Sequence, residues 1–482
     1  MTATTVIRNA AWIVGWDESA ARHVYLEDGD VAFAGDRLVQ VGGVYAGEVD
    51  VEIDGRDRLV CPGLVDIHSH PMSEPLNKGF LDELGSPGLY MSSLYEFMPL
   101  FGPDAEGVRA CMEVALAELL QSGVTTLVDL AVPFDGWLDI LGASGLRAVA
   151  APMYRSARWF TTNGHVTEYA WDEAAGMLAM EEALGLVDRA AQHPSGRLSG
   201  MVAPAQIDTC TAELIQASHE AAAARGVPLQ IHAAQSVVEF QEITRRHGKT
   251  PIEWLHSLGV LGPKTIIGHA IFLNDHPWLH WPQARDFEIL AETGTAVAHC
   301  PTVFQRRGIA LNSFGRYVRA GIPVGIGTDT YPHNMLEELR HALINSRLVS
   351  GDPFDLRTHH AFDAATVVGA RILGFDDIGR LEAGAKADLL LVDLRHPAMR
   401  PVRDPLRSLI YVAGERPVRE VFVDGRQVVA DGRTLAFDLD AALDRLEAAQ
   451  RRAEAAFTAK DYAGRRHDEA SPFAYPRANR EK

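Results

Sequence analysis

Between about residues 60 and 350 the chain repeats one phrase: a short β-branched apolar run, a polar or Gly/Pro break, then an amphipathic stretch. Eight apolar runs can be marked, at 61–68, 125–130, 146–152, 198–205, 227–234, 265–270, 295–300 and 323–329. Helical phrases lie between them. EGVRACMEVALAELLQSG closes on Gly123 and TAELIQASHEAAAARG on Gly226, each with glycine where a helix C-cap needs one. Apolar strands alternating with helices predict a parallel sheet covered by helices, and eight repeats predict an α/β fold closed into a (β/α)8 TIM barrel over 61–378. The flanks change rhythm. Residues 1–60 and 379–435 carry period-two runs and turn signals at Asp28-Gly29, Asp54-Gly55, Asp424-Gly425 and Asp431-Gly432, which predict one small composite β-sandwich domain built from both termini. Residues 436–482 read as a helix followed by a polar tail.

Composition narrows the function classes. The chain has 482 residues, 47% hydrophobic and 23% charged, which is ordinary globular usage. A formal charge of −19, with no long Lys/Arg run, argues against nucleic acid or an anionic membrane as partner and leaves a small molecule. Four scattered cysteines with no C-x-x-C pair suggest neither a disulfide framework nor a thiolate metal site. That usage, and the lack of a leader-like or membrane-length apolar run, predicts a cytoplasmic protein.

Chemistry concentrates at the ends of the predicted strands. The first ends in Asp66-Ile67-His68-Ser69-His70, and strict alternation turns His68 and His70 inward while Ile67 and Ser69 face out. The fifth, sixth and eighth strands end at His232, His269 and Asp329. C-terminal strand ends are where a barrel of this kind holds its chemistry. A satisfied core histidine explains one such residue, but four imidazoles and a carboxylate converging from separate strands are costly to bury without a cation. His256, His276 and His341 stand in helical or polar context and read as surface residues.

These residues resemble the amidohydrolase superfamily, in the branch of triazine hydrolases, S-adenosylhomocysteine deaminases and guanine deaminases. The resemblance spans nearly the whole chain and rests on Pro62-Gly63-Leu64-Val65-Asp66-Ile67-His68-Ser69-His70, Gly123-Val124-Thr125-Thr126, the His232 and His269 strands, Ala298-His299-Cys300-Pro301, Gly327-Thr328-Asp329 and the run Gly379 to Leu389. It implies one divalent ion held by His68, His70, His232 and Asp329, with His269 beside the attacking water. The fourth strand ends Ala203-Pro204-Ala205-Gln206, without the lysine that bridges two ions in other members of the family, so one metal is expected. Imidazole and carboxylate donors suit Zn²⁺ first, with Fe²⁺, Mn²⁺ or Co²⁺ as alternatives. Such an ion acidifies water from a pKa of about 15.7 toward 7. Asp329 is then placed to carry the water's proton to the leaving group, and His269 to stabilise the oxyanion.

Departures from the family pattern speak to substrate. Deaminating members carry H-x-x-E after the fifth strand, whereas this chain reads His232-Ala233-Ala234-Gln235, and glutamine cannot relay a proton. The segment Pro204 to Cys210 places Gln206 where a polar histidine segment is usual, and Phe304 follows Cys300-Pro301 in place of polar residues, so a less polar pocket is expected. Gln235, Gln206, Phe304, Tyr331 and His333 are the candidate substrate contacts. The segment 71–101, rich in Leu, Met and aromatic residues, reads as a pocket wall, a lid or an oligomer contact; Arg155, Arg158, Trp159 and Phe160 read as a second wall or as surface residues. The first reading is a metal-dependent hydrolase of a non-peptide C–N bond in an amide, urea, carbamate or thiocarbamate-like small molecule, working as a homo-oligomer. The alternative is an aminohydrolase of a triazine, purine or pyrimidine type heterocycle; a non-catalytic barrel is the third reading.

Overall fold

The computed structural model describes residues 3–282 and 285–477. Eight parallel strands form the barrel: β1 (Leu64–Ser69), β2 (Val124–Ala131), β3 (Arg147–Tyr154), β4 in two pieces (Leu198–Gly200 and Ala203–Pro204), β5 (Leu229–Ala233), β6 (Thr265–His269), β7 (Ala296–His299) and β8 (Val324–Ile326). They pair in two runs, β1 to β4 and β5 to β8. Parallel bridges at Val202–Leu229 and Gln206–His232 join β4 to β5, and a bridge at Ser69–Asp329 closes the segment after β8 onto β1. Every residue of β1, β2, β5 and β6 is buried, which is why these segments read as apolar runs.

Val65, Ile67, Val128, Val149, Ala203, Ile266 and Ala298, from six different strands, share one cluster with Ile372 and Ile378. Residues from so many strands meet only inside a barrel, so Ile67 faces in, not out. Strict alternation fails because the pairing of β1 with β2 shifts register between Asp66 and Ser69. A bulge of this kind re-aims the side chains beyond it, and His68 reaches the interior directly after Ile67.

The flanking β domain is one continuous sheet in the order 433–434, 426–430, 418–423, 389–393, 58–62, 4–17, 22–34, 37–41, with 51–54 pairing on 4–17. Its N- and C-terminal parts meet where Arg58–Pro62 pairs antiparallel with Leu389–Asp393. Phe33 and Phe422 stand several strands apart in that order, yet their rings are 5.5 Å apart, because the sheet curls over itself into a sandwich. Asp424-Gly425 and Asp431-Gly432 make hairpin turns with both residues at positive φ. Asp28-Gly29 does not: Asp28 sits inside the strand Arg22–Ala34, at φ 51, opposite a register shift in the partner strand.

Arg147, at the start of β3, fastens this domain to the barrel. Its guanidinium donates to Asp388 and Asp424, and Asp388 also accepts from the Asp424 backbone N–H at 2.8 Å. The Arg147 and Asp388 side chains are 7% and 1% exposed, so removing the arginine strands a buried carboxylate. Arg147→Met is expected to lower unfolding free energy by about 3 kcal/mol, measured by chemical denaturation.

The helix Leu439–Lys460, capped by the Asp438 side chain, packs on the helix Ala105–Gln121. Phe457 joins Phe80 and Phe101 in a common cluster, with Phe80 and Phe101 stacked at 3.9 Å. The segment after β1 is therefore anchored to the C-terminal helix while its other side reaches the barrel mouth.

Candidate active site

His68, His70, His232, His269 and Asp329 all meet at the C-terminal mouth of the barrel. The His70 and His232 Nε2 atoms are 3.2 Å apart, and the Asp329 carboxylate lies 3.6 Å from His68 Nε2, 3.4 Å from His70 Nε2 and 3.8 Å from His269 Nε2. Their partners fix the tautomers. His70 Nδ1 lies 2.7 Å from the Leu130 carbonyl and His232 Nδ1 2.7 Å from the Ala205 carbonyl; a carbonyl only accepts, so each Nδ1 carries the proton. Gln230 Nε2 donates to the Ile67 carbonyl at 3.1 Å, which turns its Oε1 to accept from His68 Nδ1. Three Nε2 lone pairs and one carboxylate thus converge, and His68 Nε2 is buried with no hydrogen-bond donor among the described residues.

A set made only of acceptors fits a divalent cation. Burial pulls His70 down to about 4 and His269 to about 3, so the rings stay neutral at pH 7 and free to donate lone pairs. Burial works against the Asp329 carboxylate too, but on acidification the first proton settles on an imidazole such as His269, whose charge then holds Asp329 below the usual carboxylate range.

Local structure explains the convergence. Asp66 accepts from the His68 backbone N–H at 3.0 Å and from Thr328 Oγ1 at 2.7 Å, tying β1 to the segment that carries Asp329. Asp329 itself sits at φ 57, a left-handed backbone held by its own N–H donating to the His68 carbonyl at 2.8 Å. A Cβ on Gly268 would stand 2.7 Å from His68 Cε1, so glycine on β6 makes room for that ring. Cys300 lies within 4.8 Å of His68, His269 and Asp329 in ligand-atom distance. Burial, Asp329 and Glu338 push its thiol well above the ordinary value.

A cavity of about 460 Å³ opens over the cluster. Gln206, Gln235, Phe304 and Tyr331 line it, with Phe304 edge-on to His269 at 4.8 Å between ring centres. Gln235 Nε2 is buried without an acceptor. His333 is a correction: it is fully buried, does not line the cavity, and faces Glu118 at 3.8 Å because the chain after Tyr331 turns toward the helix Ala105–Gln121. His276 is also buried rather than on the surface, packed on Phe272 at 4.6 Å. The segment 71–101 supplies Glu74, Leu81, Tyr90, Leu94 and Met98 to the wall. Apolar groups such as Phe272, Val303 and Phe304 meet the expectation of a less polar pocket, but Arg155, Arg158, Arg306 and Arg307 line the same cavity and overturn it elsewhere.

Sequence reasoning missed Gln230, Cys300, Glu74 and the arginine pair 306–307. Gln230 was visible in principle, two residues before His232 and so on the same strand face. Glu74 gave no such signal, since the segment 71–101 has no regular period.

Known proteins match this chain over most of its length. The amidohydrolase family model matches residues 59–428. The chain is 31% identical over 407 residues to a 5-methylthioadenosine/S-adenosylhomocysteine deaminase of Moorella thermoacetica, covering 83% of this chain and 89% of that protein. It is 27% identical over 428 residues to a 5′-deoxyadenosine deaminase of Methanosarcina mazei, covering 88% and 92%. Among solved structures, a zinc-bound adenosine deaminase of Xanthomonas campestris shares the fold, with a TM-score of 0.80 at 24% identity over 94% of this chain and 99% of that one. A variant of the atrazine chlorohydrolase of Arthrobacter aurescens, solved with zinc and atraton, gives a TM-score of 0.76 at 25% identity over 92% and 100%. A match that runs from the last strand before the barrel into the composite sheet, with a relative above 30% identity over most of both chains, makes this chain a member of the amidohydrolase family, a metal-dependent hydrolase of C–N bonds other than peptide bonds.

Proposed function

We propose that the cavity hydrolyses an amide, urea, carbamate or thiocarbamate-like small molecule, with His68, His70, His232 and Asp329 holding one divalent ion. The observation that carries this reading is Gln235. It lines the cavity where a proton relay to a ring nitrogen would stand, and an amide cannot pass a proton. Neighbouring Glu239 does not replace it, because its carboxylate accepts from the backbone N–H groups of Ala234 and Gln235 and does not line the cavity. A carbonyl substrate does not need that relay.

When bound, a divalent cation supplies an acidified water and a Lewis acid at neutral pH. Asp329 takes the attacking water's proton and returns it to the leaving nitrogen. His269, 3.8 Å from that carboxylate, faces the developing oxyanion. Phe304 against His269 keeps bulk water from that side. Zinc is the first choice of ion, supported by the zinc in the Xanthomonas campestris and Arthrobacter aurescens structures.

A second reading, ring deamination, is favoured by one feature besides the relatives' activities. Glu74 is, with Asp329, one of two acids lining the cavity among the described residues, and burial with the nearby Asp329 charge pushes it up to about 8. It is a proton donor at neutral pH. Metal-loaded enzyme assayed on anilides, ureas, carbamates and aminated heterocycles separates the two; ammonia from heterocycles alone reverses the order. Gln235→Glu should raise ring deamination by roughly 10²-fold, the usual yield of a restored general acid, as followed by ammonia release.

Placement in the cytoplasm and assembly as a homo-oligomer complete the reading. All four cysteines are buried and free, which suits a reducing compartment. Among the described residues no helix is long and apolar enough to cross a membrane. Leu348 and Phe354, 77% and 65% exposed, support a further contact surface.

A further inference from the structure

We infer that Gln450 and Arg465 are positioning residues: the C-terminal segment straps one wall of the cavity from behind, and substrate affinity depends on these side chains although neither lines the cavity. The inference rests on the cavity being the substrate site and on no particular substrate class. The wall is the segment 71–101, which brings Glu74, Leu81, Leu94 and Met98 to the cavity. Its regular pieces are two single turns, Glu74–Asn77 and Pro87–Leu89. Its own backbone bonds close tight loops, such as Phe80 and Leu81 N–H onto the Asn77 carbonyl at 3.0 and 3.1 Å. A segment held by so few bonds of its own opens easily, and its position is set by what it is fastened to.

The barrel fastens the second half. Gln241 Nε2 donates to the Tyr90 hydroxyl at 2.7 Å, Arg307 donates to Ser93 Oγ at 2.6 Å, and the Tyr95 and Ser236 hydroxyls share a bond at 2.6 Å. The first half is fastened from behind, where Lys78 pairs with Glu118 and the C-terminal segment takes the backbone. Gln450 Nε2 donates to the Leu76 carbonyl at 2.7 Å and the Lys78 carbonyl at 2.9 Å, and Ser471 Oγ to the Phe80 carbonyl at 2.6 Å. Three alternate carbonyls between Glu74 and Leu81 therefore hang on residues beyond 436. Leu446, Ala449 and Phe457, on one face of the helix Leu439–Lys460, share a core with Leu76, Phe80 and Leu81. A second knot lies at Glu96, whose side chain is 5% exposed and accepts from Arg465 at 2.8 Å and from the Tyr462 hydroxyl at 3.1 Å. Asp461 holds the same guanidinium at 2.7 and 2.9 Å. Glu96 stands two residues from both Leu94 and Met98, so this knot sets two cavity residues at once. Gln450, Tyr462, Arg465 and Ser471 all lie beyond residue 428, where the match to the family model ends. The strap can thus vary while the metal ligands stay fixed.

The test follows hydrogen exchange, bound metal and steady-state kinetics on the zinc-loaded full chain, using whichever anilide, urea, carbamate or aminated heterocycle it turns over. Gln450→Met and Arg465→Met should each speed exchange in 71–101 by about tenfold, the yield of one or two lost hydrogen bonds, while β1 and β5 keep the wild-type rate. KM should rise about tenfold with kcat within about threefold and the metal retained, as when binding is lost equally from ground and transition states. Arg465→Lys should recover part of both effects. Arg452 is the control, because it sits on the same helix but pairs with Asp104 at 2.5 Å and Glu106 at 3.2 Å instead of the wall. Arg452→Met should leave exchange in 71–101 and KM unchanged. If Arg465→Met folds poorly with Glu96 left buried, Gln450→Met decides the matter alone. Wild-type exchange in 71–101, faster exchange throughout the protein, or a loss confined to kcat overturns the inference. If no compound is turned over, the hydrolytic reading fails and the exchange pattern by itself upholds or overturns the strap.

Discussion

Asp329→Asn is expected to cut kcat by about 10³-fold while the protein still folds, because the substitution keeps the shape of the side chain and removes its proton-carrying capacity. Asp329 is well placed for both halves of that task. One oxygen lies 3.6 and 3.4 Å from the His68 and His70 Nε2 atoms and the other 3.8 Å from His269 Nε2, so a single carboxylate spans the donor set and the side where the substrate reacts. Its carboxyl lies below the usual carboxylate range, so it is ionised at neutral pH, as a base must be at the start of the cycle. Asparagine at this position still offers an oxygen but accepts no proton, so attack slows and the leaving nitrogen departs unprotonated. Single-turnover kinetics on the metal-loaded variant, with bound metal quantified alongside, checks this. A variant that keeps its metal and turns over within tenfold of wild type would remove Asp329 from the proton path.

How much of this was legible in the sequence follows from which forces are local. The eight strands were readable because β1, β2, β5 and β6 are buried along their whole length and the others nearly so, which calls for apolar residues, and Gly226 marked a helix end because its left-handed backbone favours glycine. The convergence of His68, His70, His232, His269 and Asp329 was readable because strand ends project their residues to one mouth. Alternation alone put Ile67 on the wrong face, since the shift between Asp66 and Ser69 depends on pairing with a strand some sixty residues away. His333 was misplaced for a similar reason: its burial is set by Glu118, on a helix far away in sequence. The arginines around the cavity were individually visible, but that four of them share one space is a property of the closed barrel.

The donor set also predicts what happens when it loses a member. His70→Ala removes one of three lone pairs while leaving His232 Nδ1 on the Ala205 carbonyl and His68 Nδ1 on Gln230, so the remaining scaffold stays ordered. Wild type should purify with about one equivalent of divalent metal, His70→Ala with far less, and turnover should fall with it, since no other residue supplies an acidified water. Gln230→Leu is the informative companion. It keeps every ligand but frees the His68 ring to rotate and to move its proton to Nε2, which should weaken metal binding by about 10- to 100-fold. Its activity should then return as metal is added, whereas His70→Ala should recover little. Thermal stability gives an independent readout, because an ion that binds only the folded chain adds about 4 kcal/mol at a thousand times its Kd. Chelation should lower the Tm of wild type clearly and of His70→Ala hardly at all. Should His70→Ala retain a full equivalent of metal and an unchanged response to chelation, the ion sits elsewhere and the four-residue assignment fails.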